Sequence, residues 1–328
     1  LLRSAVSTAG IHHLSFGPFS AATGYNLLHQ HVHSGGMFHN AQFVKGGTSE
    51  LVNALRAFAE SANVEIRTHS KVSAINVENG ICSGVSLDDG ETLETNTVVS
   101  GLDPQNTFIN LIGASKLNPN FHTQLRNIKY RGSAARIHFA LNDLPKINGI
   151  SEDQMDTVFS ISPSIEYLER ASDAVKYGRL AENPYVEFTI PSVPNPDFGS
   201  NGKHVLSATV KYAPYHLRNQ NWSDELKEQL KNNVIRVLEN YSPGFSSIIE
   251  SSSVLSPVDL EKQFGLTEGN LNHGEMTLDQ FFFMRPTMSS AQYKSPIENL
   301  YLCGPGTHPG GGLHGTNGFN AAREILKR

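Results

Sequence analysis

Only two cysteines occur in 328 residues, Cys82 and Cys303, and they lie far apart. That excludes a disulfide-dense scaffold, and two isolated thiols read either as a sign of a reducing compartment, the cytoplasm or the mitochondrial matrix in a eukaryote, or simply as two small buried residues. Long apolar runs are missing as well. A spanning helix needs roughly 20 apolar residues, and the most apolar cluster, Phe281-Phe282-Phe283-Met284, is far shorter. No transmembrane segment is read, while peripheral membrane contact stays open. There is no cluster of lysines and arginines, and 26 basic against 31 acidic residues leave a net charge of -5, which disfavours a nucleic-acid partner. No G-x-S-x-G elbow is present to seat a serine nucleophile, and no fixed-period repeat is visible. The start shows no signal-like pattern. The chain opens on Leu1 and its first methionine is Met37, so the expectation is a portion of something longer.

What is present is a folded composition, 38% hydrophobic and 17% charged. Residues 1–45 hold small and apolar residues with a dense histidine group, His29, His31, His33 and His39. On a strand, alternate residues share a face, so His29, His31 and His33 could meet a metal. No acid or cysteine stands nearby to complete such a site, and the group reads equally as a polar strand face or loop; no metal is expected. After Gly46-Gly47, the pattern Leu51, Val52, Leu55, Phe58, Ala59, Ala62 predicts a helix with one buried face, N-capped by Thr48. Val64-Glu65-Ile66 reads as a brief strand. Then Val72–Val77, Ile81–Leu87 and Thr92–Glu94 form a meander turned at Asn79-Gly80 and at Asp88-Asp89-Gly90, and Thr97-Val98-Val99 adds a fourth short strand.

Between about 113 and 292, longer strands are predicted over Arg131–Leu141, Tyr185–Ile190 and Val205–Tyr212. One helix starts at Ser223, with Leu226, Leu230, Val234, Val237 and Leu238 on its apolar face. This block reads as a mixed sheet covered on one side.

The closing stretch carries most of the chemistry. A short strand, Leu300-Tyr301-Leu302-Cys303, runs into Gly304-Pro305-Gly306-Thr307-His308-Pro309-Gly310-Gly311-Gly312-Leu313-His314-Gly315-Thr316-Asn317-Gly318, and then into a helix with Phe319, Ala322, Ile325 and Leu326 on one face. Strand, glycine loop and helix form an arrangement suited to an electron-rich ligand, because glycines let backbone approach closely and a helix N-terminus is positive. A tight structural connection remains the other reading. Gly304-x-Gly306-x-x-x-Gly310 departs by one residue from a dinucleotide fingerprint, and no second strand with an acid about 20 residues on follows it. His308 and His314 suit either proton transfer or loop bracing.

The block Gly46-Gly47-Thr48-Ser49-Glu50-Leu51-Val52-Asn53-Ala54-Leu55, with Lys71–Ile75 and Val98-Val99-Ser100, resembles the middle of phytoene-desaturase-type flavoproteins. Leu300–Gly304, Thr307–Gly312 and Asn320-Ala321-Ala322 resemble their closing FAD motif. Two further stretches agree: Ser256–Glu261 with Phe264-Gly265-Leu266, and Gly269-Asn270 through Met276–Gln280. The resemblance implies an α/β (α+β mixed) fold, in which an incomplete Rossmann-like FAD domain interleaves with a mixed-sheet substrate domain. Residues 1–45 would be a substrate-domain lead-in, 46–112 and 293–328 parts of the FAD domain, and 113–292 the substrate domain. Carried over by position, Val72 would face the adenine, Ser100 and Gly101 the ribose, and Gly304, Pro305 and Gly306 the ribityl and pyrophosphate. Gly312, Leu313, His314, Gly315, Thr316 and Asn317 would flank the isoalloxazine, with Thr307 and Gly311 in the same cofactor-binding set.

Two departures stand out. Pro305 replaces the acid that many such flavoproteins use on the ribityl chain, and proline offers neither a polar side chain nor an N–H. The glycine-rich βαβ unit that grips the ADP half is not among these residues, so weak or absent FAD binding is expected of the 328 residues alone. The implied activity is oxidation or desaturation of an apolar small molecule by hydride transfer to FAD. The alternative is a flavoprotein-derived interaction or regulatory protein without turnover. No catalytic acid or base is singled out.

Overall fold

The computed structural model describes residues 1–33, 43–199 and 202–327. Its helices are α1 (Leu2–Gly10), α2 (Thr23–His33), α3 (Thr48–Ser61), α4 (Pro119–Arg126), α5 (Ile165–Lys176), α6 (Asp224–Glu239), α7 (Pro257–Phe264) and α8 (Thr316–Ile325). Its strands are β1 (Val72–Glu78), β2 (Ile81–Leu87), β3 (Thr92–Glu94), β4 (Val98–Ser100), β5 (Ala134–Leu141), β6 (Phe159–Ile161), β7 (Tyr185–Thr189), β8 (His204–Lys211), β9 (Ile249–Leu255) and β10 (Leu300–Leu302). The chain divides into two compact units, Leu1–Ile66 with Ser133–Asp259, and Arg67–Gly132 with Leu260–Arg328.

The first unit is built on a five-stranded sheet ordered β6-β7-β8-β5-β9. Every pairing in it is antiparallel, so the sheet expected to be mixed is not. Period-two alternation explains its faces. Along β5, Ala135, Ile137, Phe139 and Leu141 are buried, while the residues between them are only half-buried. The buried face packs against Leu230, Val234, Val237 and Leu238 of α6. The Ser223 side chain caps α6 by accepting the Leu226 N–H.

Three expectations for this unit need correction. His29, His31 and His33 lie on α2, a helix rather than a strand, and residues two apart on a helix point to nearly opposite sides; His39 lies outside the described residues. Val64-Glu65-Ile66 forms no strand. The helix over 48–61 is present, but Gly47 at φ 91° is its cap and Thr48 its first residue. No residue of α3 is buried, and Val52, Leu55 and Phe58 are 63%, 62% and 74% exposed, so its apolar face lies open instead of packed.

The second unit carries the meander β1-β2-β3 and a separate parallel pair, β4 beside β10. Asn79 and Gly80, both at positive φ, turn β1 into β2 so that Glu78 pairs with Ile81. Its core joins Ile75 and Val77 of β1, Phe108, Phe121 and Leu125, and Leu300 and Leu302 of β10. Helix α8 starts where expected, but its buried residues are Asn317 and Ala321. Phe319 and Leu326, read as its buried face, are 63% and 81% exposed.

Candidate functional site

All the residues singled out as cofactor-binding lie in the second unit, and the parallel pair organises most of them. Val98, Val99 and Ser100 pair with Leu300, Tyr301 and Leu302, and the Cys303 N–H donates to the Ser100 carbonyl at 2.9 Å. Both chains then leave the sheet together at Gly101 and Gly304. A Cβ placed on Gly304 would stand 2.5 Å from the Gly101 carbonyl oxygen, so this close passage requires glycine. The Ser100 hydroxyl is engaged with the Thr107 hydroxyl at 2.7 Å. Thr107 sits on a single π-helical turn, Gln105–Asn110, that follows β4.

The loop beyond Gly304 is held by side chains from its own unit. Buried Thr307 folds back on the Gly304 carbonyl, donating from N at 3.0 Å and Oγ1 at 2.9 Å. Asn317, in the first turn of α8, points its amide into the same knot and reaches Thr307 O at 3.0 Å and Thr307 Oγ1 at 3.1 Å. A second latch runs from the Asn320 amide to the Tyr293 hydroxyl and from that hydroxyl to the His308 carbonyl, both 2.8 Å. His314 Nδ1 accepts the Thr316 N–H at 3.1 Å, so this ring braces the start of α8.

The largest fully buried side chain among the described residues, Arg285, lies beneath the loop. Its guanidinium donates to the carbonyls of Pro305, Asn272, Gly274, Glu275 and Gln280. Burial lowers its pKa to about 10. Beside it, desolvation lowers the His273 pKa, against the opposing pull of Asp103. Burial likewise raises the Cys303 thiol. Asp103 is itself buried and accepts from Asn106 and Thr267.

The glycines separate into two groups. A Cβ on Gly306 would press on Pro104 and His273, on Gly310 on Met276, and on Gly311 it would overlap Asn272 Oδ1. These positions are glycine so that the chain can pack on itself. Gly315, the left-handed cap of α8 at φ 64°, and Gly318 face nothing within 4 Å. The first-turn N–H groups of a helix have no intrahelical acceptor, so backbone donors at the start of α8 sit beside open space. Gly312 and Leu313 are also exposed. Gly310-x-Gly312-x-x-Gly315 has fingerprint spacing, but β10 ends at Leu302 and a fingerprint starts directly after its strand.

The structure thus brings Ser100, Gly101, Gly304, Pro305, Gly306, Thr307 and Asn317 together beyond the ends of β4 and β10, with hydrogen bonds joining Gly304, Thr307 and Asn317, and Gly311, Gly312, Leu313, His314, Gly315 and Thr316 follow along the loop. Val72, at the head of β1 opposite Leu87, shares no hydrogen bond with that group among the described residues. Sequence reasoning missed Arg285, Asp103, His273 and Asn272. The one available signal was a lone arginine between an apolar run and Pro286. Among the described residues no group of three His, Cys, Asp or Glu is placed to hold a metal, and no helix is long and apolar enough to cross a membrane.

Residues 13–326 match the family model described as flavin containing amine oxidoreductase. The chain is 32% identical over 337 residues to pyridine nucleotide-disulfide oxidoreductase domain-containing protein 2 of Rattus norvegicus, an alignment covering 99% of this chain and 58% of that protein. It is 27% identical over 304 residues to the lycopene-forming phytoene desaturase of a Paracoccus strain, covering 92% and 57%. In structure it is similar to cyclohexylamine oxidase from Brevibacterium oxydans, with a TM-score of 0.55 at 13% identity over 100% of this chain and 64% of that one, a likeness of fold. The chain therefore spans a little under three-fifths of the curated relatives named here.

Proposed function

The chain belongs to the family of flavin-containing amine oxidoreductases, and on that premise we propose that the intact protein is an FAD-dependent oxidoreductase acting on an apolar small molecule. The substrate would lose a hydride equivalent from a C–H or C–N bond. A bound flavin supplies the two-electron acceptor for such a step. The observation that carries the reading is the start of α8, where Gly315 and Gly318 face open space at a helix N-terminus. That positive helix end suits the negative edge of a reduced isoalloxazine.

This chain's own residues have a restricted part in the chemistry. Gly312, Leu313, Gly315, Thr316 and Gly318 would present backbone to the ring system. Ser100, Thr307 and Asn317 would shape the cradle from behind, since their polar groups are bonded within the protein. The Pro305 carbonyl is taken by Arg285, so Pro305 does not replace the missing ribityl acid. The adenine side would fall to the backbone at Val72, as the resemblance implies.

The 328 residues alone should hold FAD weakly and turn over no substrate. Their parallel β4–β10 pair lacks a fingerprint turn placed directly after a strand, which is what grips a pyrophosphate. The open apolar faces of α3 and α8 support the same view, because the longer relatives have more chain with which to cover them. The test is to purify the chain, add FAD, desalt and record the flavin absorbance. A colourless protein is expected; tight stoichiometric flavin would overturn this part. For the activity, a protein extended to its relatives' length should carry FAD that bleaches anaerobically with substrate, and a persistently flavin-free form would favour the non-catalytic reading.

A further inference from the structure

A cleft of about 720 Å³ opens in the first unit, and every residue lining it belongs to Leu1–Ile66 or Ser133–Asp259. It crosses β6, the edge strand, which pairs only with β7. On the face packed against α6 its walls are apolar, with Ile147, Phe159, Ile161, Phe188 and Leu238, and the Phe159 and Phe188 rings stack at 4.9 Å. On the other face α1 lends Ala5 and Ala9, and the sheet presents Ser160 and Glu187, a cross-strand pair. The Ser160 hydroxyl donates to Tyr185 OH at 3.2 Å, and Tyr185 OH donates to Glu187 Oε2 at 3.2 Å. Tyr185 is buried, so this relay holds the half-buried carboxylate in place from behind. Glu187 makes no other hydrogen bond and no ion pair among the described residues. Arg136 attracts it from two strands away, without contact.

A solvated surface acid would have neither apolar walls nor a buried tyrosine to fix it. Here Glu187 is the one carboxylate lining the cleft, and no lysine or arginine lines it among the described residues. An ionised carboxylate only accepts hydrogen bonds, and in apolar surroundings an oxygen without a donor is costly. The volume falls in the range of small-molecule sites, roughly 300–1,000 Å³. We propose that this cleft binds an apolar small molecule ending in a hydrogen-bond donor, a hydroxyl or an amine, with the donor on Glu187. The hydrocarbon body lies along the apolar walls and supplies the affinity, while the carboxylate selects the head and repels an acid. The assignment goes beyond the flavin reading and does not rest on it, because the cofactor residues belong to the second unit.

The experiment uses the 328-residue chain without flavin. Octan-1-ol, octylamine, octanoate and heptyl methyl ether are titrated by calorimetry; the ether matches the alcohol in size but has no donor. The alcohol or the amine should bind saturably, at least about tenfold more tightly than octanoate and the ether, and the tighter of the two identifies the head. Ala5→Phe, at an exposed position of α1, places a ring in the cleft and should abolish the binding. Glu187→Met should remove the preference for a donor head. Glu187→Gln, which keeps one acceptor oxygen but no charge, should weaken the amine more than the alcohol. Circular dichroism checks that each variant is folded, and should Glu187→Met fail to fold, Glu187→Gln, Ala5→Phe and the wild-type ranking decide. A protein extended to its relatives' length should give the same ranking. No saturable binding, equal binding of octanoate or the ether, unchanged affinity in Ala5→Phe, an unchanged ranking in the Glu187 variants, or loss of the binding in the longer protein would each overturn the site.

Discussion

The Arg285 guanidinium grips the Pro305 carbonyl with two donors, Nε at 3.2 Å and Nη2 at 2.9 Å. Its other N–H groups go to the carbonyls of Asn272, Gly274, Glu275 and Gln280, and it forms no ion pair among the described residues. One buried cation therefore ties the 272–280 segment to the head of the glycine loop. The charge is solvated by backbone dipoles in place of water, which is why burial lowers its pKa yet leaves it charged at neutral pH.

Replacing Arg285 by Met should be among the most damaging single changes in the second unit. It strands several buried carbonyls at once, each unsatisfied group costing about 1–3 kcal/mol. A loss of roughly 3–5 kcal/mol is expected, of the size seen when a buried charged group is removed from its partners. Arg285→Lys keeps the charge but cannot reach as many acceptors, so it should fall between the two. Urea denaturation followed by circular dichroism measures both; a cost under about 1 kcal/mol for Arg285→Met would show that the loop is held by something else.

The two groups of glycines make opposite predictions. Gly304→Ala drives a methyl onto the Gly101 carbonyl, a backbone atom that cannot swing aside, and should cost about 1–3 kcal/mol. Gly318→Ala meets nothing within 4 Å and removes a helical glycine, so it should be neutral or stabilise by up to about 1 kcal/mol. In a protein extended to hold flavin, the order should reverse for cofactor: Gly318→Ala should weaken FAD binding while the fold is intact. Thermal melts of the present chain and FAD titration of the longer one supply the two measurements.

Local signals made part of this architecture legible. Asn79-Gly80 fixed the hairpin because the turn needs positive φ at both positions, and Ser223 with Leu230, Val234 and Leu238 marked the cap and stripe of α6. Burial was less readable. The stripes of α3 and α8 have the right period, but a stripe states which side is apolar and not what covers it. The histidines on α2 were misread because an alternation of two was taken without the surrounding helix-compatible run. Arg285 and Asn272 were invisible for another reason: their partners lie at Pro305 and across the 272–280 segment, and no short window contains both ends. The glycine loop was legible as a motif, while the division between packing glycines and open ones needed the third dimension.

His273 should make the second unit sensitive to mild acid. Its native pKa is lowered from 6.5, chiefly by desolvation. The unfolded chain therefore takes up a proton near pH 6.5 that the native ring does not, and native stability falls as pH drops from that value toward the lowered pKa. His138 in the first unit, lowered by burial and by Arg136, acts in the same direction. Asn tolerates the left-handed backbone that His273 adopts at φ 55°. His273→Asn should thus flatten the decline in melting temperature between about pH 6.5 and 5. The carboxylates with lowered pKa values, such as Asp279 and Asp259, lose their contribution only at more acidic pH. An unchanged slope in His273→Asn would remove His273 as the cause.

The open face of α3 yields a prediction whose sign depends on what the rest of the protein does. In the present chain Val52, Leu55 and Phe58 touch little, since each is more than half exposed. Leu55→Glu with Phe58→Lys should then cost less than about 0.5 kcal/mol, the usual range for surface changes away from special contacts. The same pair should lower concentration-dependent self-association, because it interrupts an exposed apolar stripe. In a protein as long as the relatives, of which this chain covers 58%, the stripe would be packed, and the double change should cost several kcal/mol by burying charge. Melting curves of both lengths, with and without the substitutions, read the difference directly. Equal tolerance in the two would mean that the added chain leaves α3 uncovered, and its apolar stripe would then need another occupant.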